Sequence, residues 1–168
     1  YFFFFPAQRL GLVQALAAAV ASLHPPRLLH WPAAQELTDG AAWCDGLAQR
    51  GFPDLAAGGL NVRLFKVEDG RPGEMLMDTM GLAVLGLPDV QCHFHGLPRE
   101  EVAQVLFSTA AYLFQHGDVI ADGHTVPSHD GRSRWACRHE AALAAPERGV
   151  LDLDPEEAHS VKQPARRG

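Results

Sequence analysis

Apolar and polar positions follow the most regular patterns in the middle of the chain. Residues 60–67 alternate apolar and polar side chains through most of their length, which predicts a half-buried strand. Turn-forming residues at 69–73 separate this segment from a second strand-like segment at 75–82. We therefore predict a β-hairpin over residues 60–82.

A third strand and a long helix are predicted to follow the hairpin. Val90, Cys92 and Phe94 share one face of the strand, and Gln91, His93 and His95 share the other. The helix is predicted to begin at Pro98, because proline is tolerated in a first turn, and to end at Gly117. Its apolar face comprises Val102, Val105, Leu106, Thr109, Leu113 and Phe114.

The first fifty residues predict two further helices. Apolar residues recur at helical spacing up to Leu23, before the two prolines at 25 and 26, which forbid continuation. Asp39 is a plausible N-cap for a second helix that runs to Arg50. The apolar stripe of the first helix comprises Leu10, Val13, Leu16, Ala17, Val20 and Leu23.

Shorter segments complete the prediction. A strand is expected at 28–31, a brief helix from Pro32 to Leu37 and a loop at 53–59. Nearer the C-terminus, short strands are expected at 119–120 and 134–139, joined by a polar turn at 128–131. A last strand at 150–153 is expected at an edge of the sheet.

These elements predict an α+β fold with a mostly antiparallel twisted sheet and two or three packed helices. We expect a single domain over residues 1–153 and a disordered tail over 154–168, where charge, Pro and Gly replace apolar periodicity. The aromatic run 1–5 is predicted to be a buried strand, because an exposed run would aggregate. The first residue is not Met, which suggests a fragment or a processed product.

Composition narrows the classes of partner. The formal net charge is −6, and no basic stripe occurs before the extreme C-terminus, so nucleic acid is not an expected partner. The apolar run 16–23 is too short to span a bilayer, so no membrane partner is expected either. Cys44, Cys92 and Cys137 are widely spaced and odd in number, which indicates reduced thiols and a cytoplasmic location.

Two histidines at alternate strand positions raise the hypothesis of a metal site. His93 and His95 would project from one strand face about 6–7 Å apart, and zinc would require further ligands. The candidate further ligands are His116, His124, Cys137 and His139. The alternative, which we favour, is that the histidines lie on a half-covered face of the sheet. We predict no cofactor, with zinc as the alternative.

Three other groups of residues could carry chemistry. Thr79 and Gly81 could line a ligand pocket, although glycine within a strand more often marks a bulge or a close crossing. The segment 86–89 lacks the glycine spacing of a phosphate loop and is interpreted as a turn. An acid/base cluster or a cation site could be formed by Asp118, Asp122 and Asp130 with His124. However, Asp is common in turns because its side chain hydrogen-bonds to the turn backbone.

Several of these residues, in this order, resemble an uncharacterised bacterial family of domains of unknown function (DUF4261-like). The similarity covers roughly residues 60–153 and implies an α+β domain without implying a chemistry. His124 departs from the more acidic residue expected in the family's late turn. The motif positions are Thr79, Gly81, Leu82, Gly86, Pro88, Asp89, Asp122, Gly123 and Thr125.

The sequence therefore favours a non-catalytic module that binds another protein or a ligand. No GxSxG motif is present, and no set of residues converges on a catalytic signature. The alternative is a metal-binding protein or metal-dependent hydrolase that uses His93 and His95. A third hypothesis is a small-molecule pocket between the sheet and the helix at 98–116.

Overall fold

The computed structural model describes residues 5–68, 70–155 and 159–161. Three α-helices, one short 3₁₀ helix and eight strands make up this part of the chain. In chain order they are α1 Pro6–Leu23, β1 Leu28–Trp31, β2 Glu36–Asp39, α2 Gly40–Arg50, β3 Asn61–Lys66, β4 Glu74–Met80, the 3₁₀ helix Ala83–Leu85, β5 Asp89–His95, α3 Arg99–His116, β6 Thr125–Pro127, β7 Arg134–Ala141 and β8 Gly149–Asp154.

Six strands form one sheet in the order β3-β4-β5-β8-β7-β6. The predicted hairpin is confirmed, since β3 pairs antiparallel with β4 from Asn61 opposite Met80 to Lys66 opposite Met75. The α+β class is also confirmed. The sheet is mixed rather than purely antiparallel, because β5 and β8 run parallel.

The position of β8 corrects the prediction of an edge strand. This strand lies between β5 and β7, with Leu151 and Leu153 buried on the face that α3 covers. On the opposite face, Asp152 is also buried, where its carboxylate accepts a hydrogen bond from the Gln91 amide. A strand that is buried on both faces belongs in the interior of a sheet, and its partners are distant in sequence.

The helix α3 packs on one face of the sheet and forms the core with it. Val90, Cys92 and Phe94 of β5 are buried on this face, as the strand pattern predicts. Gly117 ends the helix with a positive φ, and its N–H donates to the Leu113 carbonyl.

In α1 the helix is confirmed, but Leu10 is the one residue of the predicted apolar stripe that is buried. Leu10 and Ala21 are buried together with Gln14, whose amide donates to the carbonyls of Asp54 and Ala57. The Gln14 side-chain oxygen in turn accepts from the Asp54 N–H. A polar residue is therefore buried because the backbone of the 53–59 loop satisfies all of its polar atoms.

The segment 32–39 corrects the prediction of a brief helix. Residues 32–35 form a turn in which Gln35 has a left-handed φ of 52°. This turn brings β2 back against β1 as a separate two-stranded hairpin. The N-cap of α2 is confirmed, because the Asp39 carboxylate accepts from the Ala42 N–H.

Near the C-terminus, residues 119–120 are not a strand, and β6 begins instead at Thr125. Ile120 is buried in the core, but the chain enters a turn directly after it. Of the predicted tail, Asp154 belongs to β8, and Ser160 forms a bridge with Phe94. Residues 156–158 and 162–168 lie outside the described residues, as do residues 1–4 of the predicted aromatic strand. None of the described helices is long and apolar enough to cross a membrane.

Gly81, directly after β4, occupies a position that no other residue fits. Its φ is +133°, and a Cβ atom there would lie 2.2 Å from the Gly59 carbonyl oxygen. The backbone of the strand end thus crosses the loop before β3 at contact distance, in agreement with the structural interpretation of this glycine.

We predict that Gly81→Ala lowers the free energy of unfolding by about 3 kcal/mol or more, because it adds a backbone clash to an unfavourable φ. Gly123→Ala is the matched control, since Gly123 has a φ of +83° and open space around it. We expect this control to lose about 1 kcal/mol in urea denaturation. Equal losses of unfolding free energy in both variants would show that the backbone at Gly81 does not pass at contact distance from the Gly59 carbonyl.

Candidate functional site

Four of the motif residues form a buried corner between β4 and β5. The Asp89 carboxylate accepts from the Leu82 N–H at 3.0 Å and lies 3.3 Å from the Thr79 hydroxyl oxygen. The Thr79 hydroxyl oxygen accepts from the Val90 N–H at 2.8 Å. Pro88 precedes Asp89 in the short segment between the 3₁₀ helix and β5. Thr79 and Asp89 therefore hold the β4–β5 connection closed instead of lining an open pocket.

Arg148, in the loop before β8, joins this corner to the centre of the sheet. Its Nε donates to Asp89 at 3.0 Å, and its Nη2 donates to Asp78 at 2.7 Å and to the Thr79 carbonyl. Its Nη1 donates to the carbonyls of Ala144 and Pro146. Every guanidinium nitrogen thus has a partner, and the loop 142–148 is fixed against the sheet face that lacks a helix.

A second arginine completes the charge balance. Arg63 on β3 donates from Nε and Nη2 to the two oxygens of Asp78, at 2.9 and 2.6 Å. Asp78 and Asp89 are fully buried, so two arginines face two buried carboxylates. Burial raises the pKa of Asp89, while the Leu82 N–H and the Arg148 guanidinium act in the opposite direction. The arrangement is a closed structural network with no group left free for chemistry.

His93 and His95 lie on the face of the sheet that carries this network, in two different environments. His93 Nε2 is 2.8 Å from the Glu74 carboxylate across the strand pair. The His95 backbone pairs with His159, and the two rings are 6.2 Å apart. Hydrogen bonding to the Arg71 N–H, together with His93, lowers the pKa of Glu74.

The remaining predicted site residues meet around a turn beside β7, where His139 lies on the sheet face opposite the network. His139 on β7 is held by Asp122 through both its N–H, at 2.8 Å, and its ring Nδ1, at 2.9 Å. Its Nε2 is 3.1 Å from Asp118. Gly123 has a positive φ and donates to the Cys137 carbonyl, so Asp122 and Gly123 fix this turn on β7. His124 and Thr125 follow directly and border a groove beside α3.

His93, His95, His124 and His139 therefore do not form one site. His93 and His95 lie on β5, whereas His124 and His139 lie at the turn and on β7. Within the described ranges, no group of three or more His, Cys, Asp or Glu side chains is arranged to hold a metal ion. Cys137 is buried, and burial raises the pKa of its thiol to about 11, so it is a thiol at neutral pH.

Two surface features, of which the motif residues contribute only Thr125, are better suited to binding. One is α1, where a face of large apolar side chains is exposed to solvent. The other is the groove between α3 and residues 119–129, with a volume of about 650 Å³. The signals were present in the sequence, as an uncharged stretch over 10–23 and as Thr109 on an otherwise apolar helix face.

We predict that Arg148→Met lowers the free energy of unfolding by about 3–5 kcal/mol, because it leaves the buried Asp89 carboxylate without a cation and removes one of the two cations from Asp78. Arg138→Met is the matched control, since the Arg138 side chain is 66% exposed and makes one long ion pair, 3.7 Å, with Glu140. We expect this variant to lose less than about 0.5 kcal/mol of unfolding free energy. Adding Asp89→Asn to Arg148→Met should recover part of the stability in urea denaturation. A loss of similar size in both arginine variants would contradict the network's structural role.

We also predict that the His139 imidazole titrates above its ordinary range in an NMR pH series. The hydrogen bonds that the His139 ring donates to Asp122 and Asp118 raise the pKa of His139, and the hydrogen bonds that Asp122 accepts from His139 lower the pKa of that carboxylate. The raised histidine pKa adds stability below the unfolded pKa of about 6.5, and this stability is lost as pH rises through the folded pKa. Asp122→Asn should move the His139 titration downward, whereas Asp130→Asn, which alters a carboxylate outside this contact, should not.

Comparison with known proteins adds a family match for part of the chain. Residues 78–154, slightly less than half of the sequence, match the model of the family described as Domain of unknown function (DUF4261). The comparison with curated proteins and the comparison with solved structures each give no match. The resemblance noted in the sequence is thus confirmed over the segment that runs from Asp78 in β4 to the end of β8, a domain of unknown function.

Proposed function

We propose that this protein is a protein-interaction module that pairs α1 with the same helix of a second copy of the chain. One observation carries the proposal. Five large apolar side chains lie on one side of α1 and are between 52% and 76% exposed: Leu12, Val13, Leu16, Val20 and Leu23.

The composition of α1 supports burial on both of its sides. Residues 10–23 contain no charged side chain, so this helix has no polar face suited to water. A helix that is hydrophobic all round is normally buried all round, yet α1 packs on α2, α3 and the 53–59 loop with one side only. The exposed side is therefore a surface for a partner.

The spacing of the exposed residues indicates another helix as that partner. Val13, Leu16, Val20 and Leu23 are separated by three, four and three positions, which is the a/d repeat of a coiled coil over two heptads. Valine at a and leucine at d is the combination that favours two parallel strands. The flanking Ala17 and Ala19 are small and allow two helices to approach closely.

A second copy satisfies these requirements without a further component. No charge lies within the exposed stripe, so two identical stripes meet without electrostatic repulsion. The stripe exposes on the order of 500 Å², as large as the largest apolar patches on monomers. Full contact of two such surfaces buries about 1,000 Å², below the roughly 1,200–2,000 Å² of stable interfaces and typical of weak, transient ones, so we expect micromolar affinity. Arg9 is the single basic residue of α1, which argues against a surface built for anionic lipid.

We predict a monomer–dimer equilibrium for the native chain in sedimentation equilibrium between about 1 and 200 micromolar, the range expected for an interface of this size. The Leu16→Ser, Val20→Ser double variant should be monomeric throughout, because both central contacts are lost. Neither side chain supports the core, so the variant's melting temperature at low concentration should match that of the native chain.

The matched control is the Val84→Ser, Leu143→Ser double variant, which also removes two exposed apolar side chains but lies outside α1. This variant should dimerise as the native chain does. A native chain that stays monomeric over the whole range would overturn the proposal, as would a dimer that the α1 substitutions leave intact.

A further inference from the structure

The groove between α3 and residues 119–129 has the size of a small-molecule site. Its volume is about 650 Å³, within the usual range for ligand pockets. Val105, Ile120 and Val126 supply apolar walls, and Tyr112 supplies an aromatic one. This surface is separate from the exposed side of α1, which contributes no residue to the groove.

One hydroxyl that lines the groove makes no hydrogen bond to another described residue. Thr109 is only 5% exposed and lines the groove, yet its hydroxyl makes no hydrogen bond to any other described residue. A hydroxyl in a helix normally bonds to the carbonyl four residues earlier, as Ser108 does with Gln104. The hydroxyl oxygen is not fully buried, because it opens to the groove, so a molecule in the groove can bond to it without displacing a hydrogen bond of the protein.

Two polar side chains at the rim, His124 and Thr125, present hydrogen-bond donors. The Ala121 N–H donates to His124 Nδ1 at 3.2 Å, so the neutral imidazole carries its proton on Nε2, which can donate to a ligand. The Thr125 hydroxyl oxygen accepts from Arg134 Nε at 2.8 Å, which leaves its own proton free. A ligand that meets these groups must present acceptors.

The charge of the lining agrees with this donor set. In a protein of formal net charge −6, no Asp or Glu is among the described residues that line the groove. The Arg134 guanidinium lies behind Thr125, where it also donates to the Thr125 carbonyl. The binding of an anion is therefore less unfavourable in the groove than on the acidic surface as a whole.

We propose that this groove binds a small amphipathic carboxylate. Its apolar body packs between Val105, Ile120 and Val126, and its carboxylate accepts from the His124 and Thr125 side chains. The Thr109 hydroxyl supplies a further hydrogen bond inside the groove. The site belongs to the full chain and needs no partner subunit.

The test is an NMR titration of the native chain with three probes that share one aliphatic chain: octanoate, octanol and octylammonium. We expect octanoate to shift the amide resonances of residues 104–112 and 119–129 and to bind several-fold more tightly than the other two. Thr109→Val should weaken octanoate binding by about three- to tenfold, the range for one hydrogen bond. Ser108→Trp, at the exposed rim, should block the groove and abolish binding.

Thermal unfolding distinguishes a role of Thr109 in binding from a role in the stability of the fold. Because its hydroxyl has no partner among the described residues, Thr109→Val without probe should melt at or above the native temperature. Thr38→Val, the same change on β2, is the control and should bind octanoate normally. The proposal is overturned if octanoate does not bind, if octanol or octylammonium binds as well or better, or if Ser108→Trp binds like the native chain.

Discussion

The buried charge network around Arg148 is the interaction on which the rest of the sheet depends. Asp78 and Asp89 sit fully buried in adjacent strands, where an ionised carboxylate is costly unless cations and donors surround it. Arg148 reaches both carboxylates from a loop about sixty residues later in the chain. The loop leads directly into β8, so the same contacts place β8 beside β5. These two strands are parallel, a pairing that a short hairpin cannot form.

This network also explains why the sheet needs no helix on its second face. On that face Gln91 bonds to the Asp152 carboxylate and accepts from the Leu143 N–H, so the loop 142–148 covers polar side chains with polar backbone. An apolar face would require a second helical layer. The motif residues Thr79 and Asp89 are therefore explained by structure, and the surfaces available for binding lie elsewhere.

Local patterns were sufficient for the hairpin β3–β4, for β5 and for α3, whose apolar periodicity and end residues agree with the structure. They failed where distant groups decide the outcome. The strand at 150–153 was expected at an edge, and the sequence does not show that Gln91 satisfies the Asp152 carboxylate inside the sheet. Gln14 was placed off the apolar stripe of α1 for the same reason, since its partners are backbone atoms of the 53–59 loop. The spacing of His93 and His95 on β5 also does not show where the other candidate ligands lie, and His124 and His139 lie at a turn and on β7.

The family match covers one of the two proposed binding surfaces and not the other. Every residue that lines the groove falls within the matched segment 78–154, whereas α1 falls outside it. The network is divided in the same way, since Arg148, Asp78 and Asp89 lie within the segment and Arg63 does not. A ligand role for the groove can therefore be compared among chains that match this segment, but pairing through α1 must be established for each chain separately. Measurements on the groove consequently test a property of the matched segment, whereas measurements on α1 test a property of this chain.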